Sequence, residues 1–150
     1  MALIIGDKIP IFSAKDANGN NFDSALFIGK KPIVIYFYPK DNTPGCTAQA
    51  CSFRDQYEDF KDLGAEVIGI SSDSSSSHQK FSSQYKLPFI LLADTDKKIR
   101  ELFGVPASFL GLMPGRVTYV ANKEGNITMI FDSLLATKHI SKALEAIKKM

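Results

Sequence analysis

Both cysteines of the 150-residue chain, Cys46 and Cys51, fall in one short stretch, "YFYPKDNTPGCTAQAC". Two thiols five residues apart behind a Thr-Pro-Gly turn point to redox chemistry or metal binding rather than a secreted disulfide framework. Thr43 suits the N-cap of a helix, and Pro44 its first position, where a missing N–H costs nothing. Gly45 and Cys46 then occupy the first turn. Cys46, Ala50, Phe53, Tyr57 and Phe60 follow at intervals of 4, 3, 4 and 3, which aligns them on one face. Cys46 therefore heads an apolar stripe at the helix end where unpaired amides point outward. Those amides and the helix dipole favour thiolate over thiol, and the thiolate is the nucleophile. An unpaired cysteine is also commonly a small core residue. The tight turn ahead of Cys46 weighs toward chemistry.

Cys51 sits awkwardly for a simple pairing. On a regular helix, residues five apart lie ~140° around the axis and ~7.5 Å along it, a Cα separation of ~8.7 Å. A disulfide cannot span more than ~7 Å between Cα atoms without backbone movement. Either the two thiols never pair, or the first turns of the helix unwind when they do. Helix ends fray at low cost, and Gly45 weakens this one further. Zinc is a poor fit, since a structural site wants four ligands and the chain adds only the isolated His78 and His139. Each histidine reads as a solvated helix residue. Thioredoxin-type dithiol chemistry carries Cys-x-x-Cys, which the x4 spacing does not match.

The elements that must hold this helix are legible around it. "PIVIYFYP" (32–39) is a continuous apolar run suited to a strand buried on both faces. The helix over 44–63 follows, with Gly64 as its stop. Next come a strand over 65–71, a helix over 74–86 stopped by Pro88, a strand over 89–93 and a short helix over 96–103. The serine run before the second helix reads as a βα loop in which Asp73 or a serine caps that helix. Residues 10–23 read as a hairpin around an Asn-Gly turn, 104–115 as a Gly/Pro loop, 116–132 as a second hairpin and 137–149 as a closing helix. Strands alternating with helices imply parallel pairs at the centre, with antiparallel pairs from the hairpins. The expectation is one α/β domain over 1–150, a three-layer α/β/α sandwich on a mixed sheet. In such folds ligands gather outside the carboxyl ends of the parallel strands, where Cys46 falls.

Composition narrows the partners. Apolar residues make up 45% and charged residues 23%, an ordinary globular balance. A formal charge of +2 gives no reason to expect nucleic acid or an anionic membrane as partner. The longest apolar run, "IVIYFY", is far short of the ~20 residues a spanning helix needs. "MALIIGDKIP" lacks the basic start and long apolar segment of a secretory signal, which predicts a cytoplasmic location, with a trimmed organelle precursor left open.

The run "PKDNTPGC", Pro39 to Cys46, fits the pattern Pro-x-x-x-Thr-x-x-Cys, and "CTAQAC" adds a second cysteine five residues on. In both respects the chain resembles the peroxiredoxins, and among them the peroxiredoxin Q or bacterioferritin comigratory protein subfamily. "FRDQYEDFKDLGAEVIGIS", "LLAD" and "PGRVTYV" extend the resemblance end to end. It implies a thioredoxin fold with an N-terminal hairpin and a thioredoxin-recycled peroxidase that needs no metal, haem or flavin. By the same resemblance Cys46 is the peroxidatic cysteine, Cys51 the resolving cysteine of an intramolecular disulfide, and Thr43 the hydroxyl that orients the peroxide. Pro39 shields the thiolate and Arg116 is the active-site arginine. A resolving cysteine in the same chain implies a monomer. Among the three arginines, Arg54 lies two turns beyond Cys46 and Arg100 sits among charged neighbours, while Arg116 leaves a Gly-Pro loop at the start of a strand. Amides near Gly45 and Cys46, the Thr43 hydroxyl and a guanidinium would stabilise charge moving from sulfur to the departing oxygen. Two rivals remain at this point: an oxidoreductase acting on protein disulfides, and a redox sensor or client-binding chaperone. The apolar loop "ASFLGLMPG" (107–115) could serve a partner or wall the pocket.

Overall fold

A computed structural model describes residues 2–105, 107–108 and 113–150. Strands β1 (Ser13–Asp16) and β2 (Asn21–Asp23) form the first hairpin, shorter than the stretch expected for it. The Asp16 carboxylate accepts the amides of Asn18 and Asn20, and Gly19 takes a φ of +80° that closes the turn. After a 3₁₀ turn at Ser24–Leu26 come β3 (Ile33–Phe37), α1 (Pro44–Asp55), α2 (Tyr57–Asp62) and β4 (Glu66–Ser71). They are followed by α3 (Ser75–Tyr85), β5 (Ile90–Ala93) and α4 (Lys98–Phe103). Two-residue strands β6 (Ala107–Ser108) and β7 (Met113–Pro114) pair antiparallel within the stretch expected to be loop. Residues 106 and 109–112 of that stretch, with the apolar tip, lie outside the described residues. Strands β8 (Val117–Ala121) and β9 (Ile127–Asp132) and helix α5 (Lys138–Lys148) complete the chain.

One sheet of seven strands runs in the order β2-β1-β5-β4-β3-β8-β9. Its middle, β3, β4 and β5, is parallel, whereas β1 pairs antiparallel with β5, and β8 with β3 and β9. Every residue of β3 and β8 is buried, because both faces are covered. Val34 and Tyr36 face Phe53, Phe60, Phe81, Ile140 and Ile147 beneath α1, α2, α3 and α5. Ile33, Ile35 and Phe37 face Ile99 and Phe103 of α4 together with Ile9, Phe12 and Phe22 from the N-terminal segment. The outer layers are therefore unequal, four helices against one helix and a wrapped chain. Where Tyr36 crosses β4, a Cβ on Gly69 would meet its ring at 2.8 Å, so only glycine leaves room there.

The helix expected over 44–63 divides at Gln56, whose φ of −108° and ψ of 10° leave the helical region. No glycine or proline marks the break. Its Tyr57 and Phe60 remain buried on the sheet, and the Tyr57 hydroxyl donates to Glu66 at the start of β4 (2.9 Å). Gly64 ends α2 with φ +76°, and Ser74 caps α3 by accepting the Ser77 amide (3.2 Å).

Candidate active site

β3 ends at the carboxyl end of the parallel strands, and α1 begins there after a six-residue connection. Thr43 holds the extended N-cap conformation (φ −93°, ψ 154°), but its hydroxyl donates to Lys40 O (2.9 Å) and accepts nothing from α1. The first amides of α1 thus have no side-chain cap, and orphan amides at a helix start are ready acceptor-binding groups. Cys46 lies in that turn with 1% of its surface exposed, and the whole stripe from Cys46 to Phe60 is buried as its spacing predicts. Cys51 is half-buried, both thiols are free, and α1 is unbroken through both. The structure therefore brings Cys46 into the site and keeps Cys51 apart from it. Pro39, half-buried, stands just past the end of β3.

Arg116, 70 residues away in sequence, reaches the same point. Its Nη2 lies 3.5 Å from Cys46 Sγ, and its Nη1 donates to Gln49 Oε1 (2.5 Å). The guanidinium passes so close to α1 that a Cβ on Gly45 would stand 3.0 Å from Nη2. Gly45 thus serves by having no side chain. Gln49 is fully buried and was not anticipated. Its signal was position: three residues after Cys46, it shares the buried face of α1. Gln49 Nε2 and Arg116 Nε have no hydrogen-bond partner among the described residues.

Arg100, which has charged neighbours in the sequence, is turned inward. It is buried over the Phe37 ring, and it donates to Tyr38 O and Gly115 O, both at 3.4 Å. Those carbonyls immediately precede Pro39 and Arg116. Burial pushes the Arg100 guanidinium below its ordinary range, partly offset by Asp94. Arg54 turns outward to Asp55 and to Tyr85 O.

The expectation of solvated histidines also fails, because both are fully buried. His78 Nε2 faces Leu92 O (2.9 Å), which can only accept, so Nε2 carries a proton. Nδ1 lies 2.7 Å from Asp41 Oδ2. Asp41 also accepts from the hydroxyls of Tyr38 (2.5 Å) and Ser77 (2.8 Å). Burial holds the Tyr38 phenol well above its ordinary pKa, with Tyr36 and Asp41 adding to the effect, so it stays a donor. His139 donates from Nε2 to Ser133 O (2.7 Å) and takes the Thr118 hydroxyl at Nδ1 (2.7 Å). Burial pushes its pKa down to about 4, the Ser133 carbonyl opposing and Arg116 reinforcing. It is a neutral brace at neutral pH. Local sequence could not reveal either partner set, because each is assembled from distant segments.

Asp41, Asp73 and His78 each offer an atom within 4.8 Å of the others, a spacing that could hold a metal ion. Those atoms are spent on one another and on Tyr38, Ser71, Ser77 and Leu92, which makes the cluster a hydrogen-bonded brace. A cleft of about 760 Å³ is lined by Pro32, Lys123, Lys142 and Lys149 at the amino end of β3 and shares no residue with the thiol site.

Comparison with known proteins bears on this geometry. Residues 5–130 match the model of the AhpC/TSA family. The chain is 49% identical over 146 residues to the chloroplastic peroxiredoxin Q of Populus jackii, spanning 97% of this chain and 68% of that protein. Against the chloroplastic peroxiredoxin Q of Sedum lineare the identity is 48%, over 97% of this chain and 78% of that one. Among solved structures, peroxidoxin BcpB of Mycobacterium tuberculosis superposes with a TM-score of 0.89 at 30% identity, covering 97% of each chain. The bacterioferritin comigratory protein of Xanthomonas campestris, studied for its alkyl peroxide reduction activity, gives 0.83 at 28% identity, over 92% of this chain and 90% of that one.

Proposed function

Because this chain belongs to the AhpC/TSA family and is a peroxiredoxin-type, thiol-dependent peroxidase, we propose that Cys46 is its peroxidatic sulfur and Cys51 its resolving one. The Cys46 thiolate attacks the near oxygen of hydrogen peroxide or an alkyl hydroperoxide. The O–O bond breaks, the far oxygen leaves with a proton as water or alcohol, and Cys46 becomes a sulfenic acid. Cys51 then attacks the Cys46 sulfur and expels water, and an intramolecular disulfide forms. A dithiol, thioredoxin or a similar protein, takes the disulfide and returns both thiols.

The observation that carries this reading is the Arg116 guanidinium on the Cys46 sulfur (3.5 Å), beside a helix start that Thr43 leaves uncapped. As the O–O bond breaks, negative charge moves from sulfur to the departing oxygen. Fixed donors in a water-poor pocket stabilise that transition state more than the ground state. The Gly45 and Cys46 amides and Arg116 supply them. The Thr43 hydroxyl, whose proton goes to Lys40 O, orients the peroxide by accepting its O–H. Pro39 covers the sulfur, and Gln49 holds Arg116 in place. With 1% of its surface exposed, Cys46 is closed to the disulfide of a folded protein. That separates this reading from a general protein disulfide oxidoreductase.

The chain acts as a monomer of one domain over 1–150, since both thiols of the cycle lie within it. Recycling by a dithiol requires a reducing compartment, the cytoplasm or an organelle such as the chloroplast of the named relatives. The test is Cys46→Ser: with thioredoxin and its reductase supplied, peroxide consumption should fall to background. Substantial residual turnover would move the nucleophile elsewhere.

A further inference from the structure

The network around Asp41 lies outside the chemistry above, yet it grips the loop that leads into α1. Asp41 stands between Pro39 and Thr43. Its carboxylate holds three side chains from two other segments: Tyr38 at the end of β3, and Ser77 and His78 in the first turns of α3. His78 is tied in turn to Leu92 O on β5 (2.9 Å). The Asp41 amide donates to Asp73 Oδ2 (2.7 Å), which also takes the Ser71 hydroxyl at the end of β4 (2.7 Å). Three strand ends and a helix start thus converge on one loop residue. The side chains of His78 and Asp41 are 0% and 3% exposed.

The next residue behaves differently. Asn42 is exposed, takes a φ of +60°, and makes only outward contacts, its amide group reaching Tyr85 Oη (3.2 Å) and Gln84 Oε1 (3.4 Å). A non-glycine residue in the left-handed region is a local strain, one asparagine tolerates better than most. A fixed buried post thus adjoins an exposed, strained joint, and α1 starts directly after it.

We propose that Asp41 and His78 are positioning residues for the peroxidase reaction, an anchor that stays paired throughout the cycle while α1 unwinds from Asn42 onward. The proposal rests on the Cys46–Cys51 disulfide argued above. While α1 is folded, the anchor fixes where the helix starts and so aims the amides of Gly45 and Cys46 and the Thr43 hydroxyl. When the disulfide forms, the unwinding stops at Asn42, because parting a buried, fully bonded Asp–His pair leaves charge and polar groups uncompensated. On reduction, α1 rewinds against an unchanged post.

Amide hydrogen exchange, read residue by residue by NMR on the wild-type chain, tests the anchor in both redox forms. On oxidation, protection should be lost within residues 47–50 and retained at the Asp41 and His78 amides. Loss at Asp41 on oxidation overturns the anchor while leaving the disulfide intact. A Cys46–Cys51 disulfide formed with no loss of protection in α1 overturns the unwinding and the anchor together. Kinetics of His78→Asn supply the second readout. The peroxide step should slow about ten- to a hundredfold, as for a misplaced reacting group, while disulfide formation from the sulfenic acid changes by less than about twofold. Equal slowing of both steps, or a lowered melting temperature with both steps unchanged, overturns the positioning role.

Discussion

At the scale of single residues, the space of one methyl group at position 45 decides how Arg116 meets the sulfur. Arg116 Nη2 lies close over α1 and beside the Cys46 sulfur where Gly45 has no Cβ, which would stand 3.0 Å from that nitrogen. Gly45→Ala should therefore separate activity from stability. Alanine is favoured over glycine in a helix by about 1 kcal/mol, so the melting temperature should hold or rise. The guanidinium would have to shift away from α1, and the weakened contact of one oriented donor with the sulfur should slow the peroxide step by up to about tenfold. Stopped-flow kinetics of peroxide reduction beside a thermal melt would check both halves, and an unchanged rate would contradict the role given to Arg116. Cys46 was legible at the helix start because a turn and a helical stripe are local signals. Arg116 was singled out through the family resemblance, its loop-to-strand junction being the weaker local cue. Gln49 was hidden in plain view on the same stripe. His78 and His139 were misread as solvated because a histidine on a polar-looking helix gives no local hint of burial, and its partners lie in distant segments: Asp41 and Leu92 for one, Thr118 and Ser133 for the other.

At the scale of elements, two helices are under opposite demands. α5 has to stay docked, and His139 fastens it to Thr118 on β8 and to Ser133 just past β9, whose amide in turn donates to Arg116 O (3.2 Å). His139 is held at a pKa of about 4 when folded, against an ordinary 6.5, so between those values the unfolded chain binds the extra proton. Stability is then fully present above about pH 6.5 and falls as the pH drops toward 4, by about 3 kcal/mol at most. Urea unfolding of wild type and His139→Gln across pH 4 to 7 should show this slope in the first and lose it in the second. The same slope in both would assign the effect to other groups. α1, by contrast, has to give way in the proposed cycle. Its start and buried face were readable from Thr43, Pro44 and the stripe, whereas its end was not, since the break at Gln56 carries no glycine or proline and reflects how Tyr57 and Phe60 meet the sheet. The strand order was readable only as far as alternation goes. The parallel centre and the two hairpins follow from it, but the pairing of β1 with β5 and of β8 with β3 is long-range.

At the scale of the whole molecule, the sheet brings the α1 start, the Arg116 loop and the Asp41 network to one edge. The second thiol lies five residues on along the same helix, and the proposed cycle resolves the sulfenic acid within one chain. While α1 is intact its two cysteines stand ~8.7 Å apart at Cα, beyond what a disulfide spans. The central claim is that one chain closes this gap by unwinding itself. The most direct measurement is to treat fully reduced protein with one equivalent of peroxide, block remaining thiols, and map the cysteines by mass spectrometry on the separated monomer. The account predicts a Cys46–Cys51 bond within one chain and no thiol left to block. Disulfide-linked pairs of chains, or a sulfenic acid persisting on Cys46 beside a free Cys51 thiol, would contradict it.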